Sequence, residues 1–219
     1  MKNLLLILMI SVPGYLFCQD PIKSQDPSAE PYLENIASSL NANSPYQVEF
    51  KYEIYSAMED ATVSDFGSII VKDKKYKLKT EDMEVLYNGR YLWVHNLQAA
   101  EVYQSEPSEG DTDQMLADPF RLMGNFRNNY KYLYKGDQKI NGTTYAEIDL
   151  YPAEIESGYS IIRILCNEGG NNIHSITLRQ KNGTEITAFI NEIIRNISVP
   201  DSVFSWNAET KPDILLIEM

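Results

Sequence analysis

Residues 46 to 54 read Tyr-Gln-Val-Glu-Phe-Lys-Tyr-Glu-Ile, with a large apolar side chain at every second position and a polar one between. Successive side chains of a β-strand point to opposite faces of the sheet, so this pattern predicts a strand with one buried face. Ten further stretches have strand-like composition. The sequence therefore predicts about eleven strands, the others at 66–71, 75–79, 84–87, 91–95, 101–104, 130–134, 143–151, 159–166, 173–180 and 185–193.

Three Asn-Gly pairs, beginning at Asn88, Asn141 and Asn182, each separate two of these predicted strands. Asn-Gly is favoured in tight hairpin turns because both residues tolerate positive φ. We therefore expect three antiparallel hairpins and a mostly local strand order. One long antiparallel sheet must curl to bury its apolar face, so the predicted fold is mainly β with a few helices (α+β), built on a single curled sheet.

Two segments interrupt the strand pattern with helical spacing. The first begins near Pro31, which suits a first helical turn, and has one apolar stripe formed by Tyr32, Leu33, Ile36, Ala37 and Leu40. The second is predicted over residues 113–128, with Pro119 dividing it into two pieces. Its apolar face includes Met115, Leu116, Phe120, Leu122 and Met123.

The N-terminal residues 1–18 have the pattern of a secretory signal peptide. Lys2 provides the positive charge, and the apolar run from Leu4 to Val12 is too short to span a membrane. Phe17 disfavours lipidation of Cys18, since a small residue is required before a lipid-bearing cysteine. We expect cleavage after Cys18, a flexible leader over residues 19–30, and one exported domain over residues 31–219.

Composition argues against two classes of partner. The formal net charge of −12 disfavours binding to nucleic acid or to anionic membranes, both of which attract Lys and Arg. Fifteen Tyr, seven Phe, two Trp and seven Met give the chain a large apolar inventory, which could simply fill a core. Helices inserted before the first strand and after the sixth would instead lie over one mouth of the curled sheet or over its concave face, and the mouths of such sheets are common ligand sites.

Residues typical of catalytic sites are few in this sequence. His95 and His174 both lie in predicted strands, Cys166 ends an apolar strand, and no Gly-x-Ser-x-Gly motif occurs. Histidines and cysteines do not cluster at zinc spacing, and the acidic residues at 106–113 lack the alternation of a calcium loop. We therefore predict no enzymatic activity, no metal and no cofactor, although a hydrolase with paired carboxylates stays an alternative.

Several segments, in order along the chain, resemble the LolA-type periplasmic carriers of outer-membrane lipoproteins. The most specific is Tyr-Asn-Gly-Arg-Tyr-Leu-Trp-Val at residues 87–94. The resemblance extends over about residues 32–217. Its other matching segments are 44–50, 66–72, 75–78, 118–122, 176–178, 182–184 and 201–206.

This resemblance implies an unclosed β-barrel with a helical lid, whose apolar cavity holds the acyl chains of lipoproteins or other lipids. It also implies a periplasmic location, an inner-membrane donor and an outer-membrane acceptor, and we expect a monomer. Carried over to this chain, the cavity residues are Tyr46, Val48, Phe50, Tyr52, Tyr76, Leu78 and Trp93. The inner side of the lid is Met115, Leu116, Phe120, Leu122 and Met123.

One departure from the family pattern concerns the lid. Family members often have an arginine after the second main strand that is thought to latch the lid, whereas this chain has Lys72-Asp-Lys-Lys75 there. Lys72 or Lys74 could replace that arginine in part. A lipid-binding sensor or interaction module on the same fold stays open as an alternative function.

Overall fold

The computed structural model describes residues 25–107, 126–153 and 157–219. It confirms the predicted fold class: within these residues, twelve strands form one sheet, and the helices are few. The strands are β1 Tyr46–Ser56, β2 Ala61–Lys72, β3 Lys75–Lys79, β4 Met83–Tyr87, β5 Leu92–Asn96, β6 Glu101–Ser105, β7 Tyr130–Ile140, β8 Thr143–Pro152, β9 Tyr159–Cys166, β10 Ile173–Gln180, β11 Thr184–Arg195 and β12 Leu215–Glu218. The α-helices are α1 Glu30–Ala42 and α2 Phe126–Asn129, and 3₁₀ turns occupy Asp201–Phe204 and Ala208–Thr210.

The strand order is β12-β6-β5-β4-β3-β2-β1-β11-β10-β9-β8-β7. All neighbouring strands pair antiparallel except β12, which pairs parallel with β6. Strands β7 and β12 therefore form the two edges, and they do not pair with each other, so the sheet is curled but not closed. Strand β1 joins the two halves through eleven-residue registers with both β2 and β11.

The three predicted hairpins are confirmed, but their turns differ. Asn141 and Gly142 both have positive φ, as the two-residue turn between β7 and β8 requires. At the other two pairs only the glycine, Gly89 or Gly183, has positive φ. These two hairpins have longer loops, of four residues between β4 and β5 and three between β10 and β11, so one positive-φ residue is sufficient in each.

The N-terminal segment is attached to the β7 edge from Gln25 onward. Gln25 forms a parallel bridge with Tyr132, and the Asp26 amide donates to the Tyr132 carbonyl at 3.1 Å. The Asp26 carboxylate accepts the Tyr134 amide at 3.1 Å. These bonds correct the flexible leader predicted over 19–30: its last residues satisfy backbone groups that an edge strand would otherwise expose. The predicted signal peptide, residues 1–18, lies outside the described residues.

Candidate functional site

The concave face of the sheet has two zones. Helix α1 covers the first, burying Leu33, Ile36 and Leu40 against the sheet. Its middle and its C-terminal end are fixed there: the Asn35 side chain donates to the Gly169 carbonyl at 3.0 Å, and the Asn196 amide donates to the Asn43 carbonyl at 3.2 Å. The helix therefore fills the end of the concave face where β1 begins and β11 ends.

The second zone, at the other end of the concave face, is a cavity of about 590 Å³. This volume lies within the range of roughly 300–1,000 Å³ that is typical of small-molecule sites. Its walls come from both halves of the sheet and are mainly aliphatic and aromatic. The lining residues are Phe50, Tyr52, Ile54, Ile69, Leu78, Thr80, Asp82, Met83, Val94, Asn96, Tyr103, Ile162, Ile176, Leu178, Ile186 and Ala188.

Gly67 determines the position of the aromatic ring at the centre of this wall. A Cβ atom at residue 67 would lie 2.6 Å from Cζ of Phe50, which is far inside van der Waals contact. Residue 67 on strand β2 is the register partner of Phe50. Because it is glycine, the Phe50 ring can lie directly over that strand. The ring thus forms part of the cavity wall and leaves the space in front of it open.

The structure divides the predicted cavity residues into groups. Phe50, Tyr52 and Leu78 line the cavity. Tyr46, Val48 and Tyr76 are on the same face but are fully buried in the core shared with α1, so they support the site and do not border it. The binding role of these residues stays a prediction.

The prediction that Trp93 faces the cavity is wrong. Trp93 is on the outer face of the sheet, in a second cluster with Leu86 and Val102, and its indole nitrogen donates to Gln104 at 2.7 Å. Partly buried residues of the C-terminal segment, including Trp206 and Leu216, cover this cluster. Strand β5 is apolar on both faces, so alternation alone did not indicate which face was the inner one.

The C-terminal segment is also bound by charge. Lys72 donates to Asp201 at 2.7 Å and to the Val199 carbonyl at 3.1 Å, and Lys75 also contacts Asp201. Hydrogen bonds from these two lysines lower the pKa of the Asp201 carboxyl to about 2. Lys72, considered above as a replacement for the latch arginine, is thus engaged with the C-terminal segment. The predicted lid residues, and most of the predicted helix at 113–128, lie outside the described residues.

A second charged group lies under this segment. Glu84, which is almost fully buried, contacts Lys77 at 2.6 Å and Lys211 at 3.5 Å. Burial alone would raise the pKa of the Glu84 carboxyl, but the two lysines outweigh burial and hold that pKa below its usual value. Lys211 also lies 4.2 Å above the Trp206 ring, a favourable cation–π distance.

Most of the cavity wall was missed by sequence reasoning, including Ile162, Ile176 and Ala188. The period-two pattern was the available signal, because these residues occupy the inner positions of strands that the sequence did predict. Which inner positions border a cavity depends on where α1 ends, and the strand pattern contains no information on that. Thr80, Asp82 and Asn96 were missed because they lie at or beyond the strand ends.

The nucleophile candidate is unsuited to chemistry. Cys166 is fully buried, and burial raises the pKa of its thiol to about 12, so the reactive thiolate is scarce at neutral pH. Within residues 25–107, 126–153 and 157–219, no three His, Cys, Asp or Glu side chains are grouped as metal ligands. In the same ranges, none of the helices combines the length and apolar character needed to cross a membrane.

Fold and site together define a curled, unclosed antiparallel sheet with an apolar cavity on its concave face. The chain belongs to the family described as outer membrane lipoprotein carrier protein LolA, whose model matches residues 70–207. Among curated proteins, no sequence matches the chain significantly.

Solved structures with similar folds have very different sequences. An uncharacterized conserved protein from Thermus thermophilus superposes with a TM-score of 0.55 at 7% identity, covering 88% of this chain and 99% of its own. A LolA superfamily protein from Nitrosomonas europaea has a TM-score of 0.45 at 12% identity, covering 81% and 97%. The MucA/MucB complex of Pseudomonas aeruginosa has a TM-score of 0.43 at 10% identity, covering 83% and 62%.

Proposed function

We propose that this protein is a periplasmic carrier that binds acyl chains of lipoproteins in its cavity and transports them toward the outer membrane, without making or breaking bonds. Membership of the lipoprotein carrier family supports this proposal. The observation that carries it is the open volume between β1, β3, β10 and β11. That space is lined mainly by hydrocarbon, and the side chains of the described residues do not fill it.

The size of the cavity fits a single acyl chain. A methylene is similar in size to a water molecule, which occupies about 30 Å³ in the liquid, so 590 Å³ has room for roughly 20 such units. At about 0.8 kcal/mol per buried methylene, a chain of about 15 methylenes gains on the order of 10 kcal/mol on leaving water. This gain is large enough to hold a lipid that would otherwise aggregate.

A carrier must also release its load. The unclosed sheet serves this purpose, because the two edge strands β7 and β12 do not pair and the sheet can change its curvature without breaking a ladder between them. We assign the residues predicted as a lid (Met115, Leu116, Phe120, Leu122 and Met123) to the cover over bound chains. An inner-membrane donor and an outer-membrane acceptor complete the proposed route.

Native mass spectrometry tests the proposal. The full chain is expressed with its N-terminal segment in a bacterium, purified without detergent from the periplasmic fraction, and sprayed before and after extraction with organic solvent. We expect extra mass that corresponds to acylated molecules and disappears on extraction. A protein that is empty as isolated, and that also fails to take up a neutral monoacylglycerol added afterwards, would contradict the proposed function.

A further inference from the structure

The cavity has an apolar end and a polar end. Ile162, Ile176 and Leu178 form part of the apolar end, whereas Thr80 and Asp82, at the β3–β4 connection, contribute to the polar end together with Asn96 and Tyr103. Hydrogen bonds hold this polar end in place. The Asp82 carboxylate accepts from the Gln98 side chain at 2.6 Å, and the Asp82 carbonyl accepts the Leu97 amide at 2.9 Å. An amphiphile in the cavity would therefore place its polar head at this end.

Carboxylates surround that polar end. Asp65 is the register partner of Tyr52 on the inner face, and a hydrogen bond from the neighbouring Glu81 joins the two acids and raises the pKa of Glu81. Asp82 lines the cavity itself. On β6, Glu101 accepts the Tyr103 hydroxyl at 2.7 Å. Acidic groups on β2, on β6 and between β3 and β4 thus face one opening.

Tyr52 shows that this negative charge reaches the cavity wall. Its pKa is raised first by burial and then by the charge of Asp65, with smaller contributions from Asp82 and Glu81, although a hydrogen bond with Thr80 opposes the rise. The Tyr52 ring is part of the lining. The negative charge that Asp65, Glu81 and Asp82 carry together is therefore felt where a ligand's head would lie.

Among the residues that the structure describes, the basic side chains are directed away from these acids. In the described residues, no Lys or Arg lines the cavity. Strand alternation directs Lys51, Lys77 and Lys79 to the outer face, where Lys51 pairs with Glu53 and Lys77 pairs with Glu84. Arg179 similarly pairs with Glu185. An anionic head at this end of the cavity would therefore be repelled by the carboxylates beside it, and lining lysines or arginines among the described residues do not offset that repulsion.

Resting on the proposed acyl-binding function, we propose that the cavity selects amphiphiles by the charge of their head: it takes chains with a cationic or uncharged head and rejects those with an anionic head. Asp65, Glu81 and Asp82 are the residues that determine this specificity, and they do so through their charge at the end of the cavity where the head lies.

Three amphiphiles with the same twelve-carbon chain test the proposal: dodecylamine, dodecanol and dodecanoate. Each displaces a neutral fluorescent probe from the full chain at pH 8, where the amine is protonated and the acid ionised, at concentrations below micelle formation. We expect dodecylamine and dodecanol to compete and dodecanoate to bind at least about tenfold more weakly than dodecanol. In the triple variant Asp65→Asn/Glu81→Gln/Asp82→Asn, the affinity for dodecanoate rises toward that for dodecanol, which stays unchanged.

A matched control removes the same charge from elsewhere. The variant Asp73→Asn/Glu192→Gln/Glu209→Gln changes three exposed acids remote from the cavity lining and should leave the discrimination intact. Equal binding of all three amphiphiles to the wild type would overturn the charge selection and leave the carrier function standing. Weak dodecanoate binding that the triple variant does not relieve would overturn the role of these carboxylates. Failure of all three amphiphiles to bind would instead contradict the proposed function.

Discussion

Replacing Ala188 by phenylalanine should shorten the longest acyl chain that the protein can hold. Ala188 lies on β11, is paired with Tyr52 on one side and Ile176 on the other, and borders the cavity. Phenylalanine adds six carbons to the side chain, which project into the space in front of the sheet. Of room for roughly 20 methylene-sized units, about 14 would remain.

The expected loss depends on the length of the ligand. A chain of about 20 carbons would have about six left in water, which costs about 5 kcal/mol at 0.8 kcal/mol per methylene, or roughly 3,000-fold in affinity. A chain of about 12 carbons still fits and should bind Ala188→Phe almost as well as the wild type. Titrations with a series of neutral monoacylglycerols from about 10 to 20 carbons measure how the affinity of the wild type and of the variant depends on chain length.

The wild-type affinity should rise about fourfold per carbon and then level off, and the variant should level off about six carbons earlier. Ala208→Phe, the same change at an exposed position on the C-terminal segment, is the matched control and should leave the series unchanged. If Ala188→Phe unfolds, Ala188→Leu gives the same test with a shift of about three carbons. An equal loss of affinity at every chain length would refute the reasoning, because it would show that the volume beside residue 188 does not limit the length of the bound chain.

Three other variants probe the rest of the structure. Trp93→Ala should lower the free energy of unfolding by about 3 kcal/mol, as large-to-small changes in a core do. The affinity for monoacylglycerol should stay unchanged, and a weaker affinity would show that Trp93 contributes to the cavity after all. Phe120→Asp should abolish lipid uptake while circular dichroism shows the fold intact, and normal uptake would remove Phe120 from the lid. The Asp201 pKa is depressed from 3.8 to about 2, so the stability that this carboxylate provides is present above pH 4 and is lost as the pH falls toward 2. Urea denaturation should therefore show wild type more stable than Asp201→Asn at pH 6 and equal to it near pH 2, and a difference that persists at pH 2 would contradict the pairing with Lys72 and Lys75.

Strand alternation was sufficient to predict the sheet and the orientation of β1. Tyr46 through Ile54 alternate strictly. The apolar residues at even-numbered positions lie on the inner face of the sheet, as the pattern indicated. Alternation could not locate β12, because Leu215, Leu216 and Ile217 are consecutive apolar residues whose partner, β6, is remote in sequence. Strand β2 was predicted five residues too short at its start, where it extends as an exposed hairpin with polar side chains on both faces.

The boundary between core and cavity could not be predicted from the same pattern. Val48 and Tyr52 occupy equivalent inner positions of one strand, yet the first is sealed in the core and the second borders open space. What separates them is the position of α1, which is determined by tertiary contacts such as the stacking of Tyr32 on Tyr134 at 5.8 Å between ring centres. A helical stripe predicts that a helix packs on the sheet, but it does not indicate how far along the sheet the helix reaches.

The outer cluster of Leu86, Trp93 and Val102 explains why this wall of the cavity is stable although its inner face borders open space. Strands β4, β5 and β6 have only five residues each, and their inner side chains, such as Val94 and Tyr103, border the cavity. These short strands are packed instead from the outside, where Trp93 and Val102 are buried beneath Trp206 and the rest of the C-terminal segment. Burial of apolar area stabilises a strand whichever face it comes from. The stability of this wall therefore depends on its outer face, which leaves the inner face available for the ligand exchange that the proposed function requires.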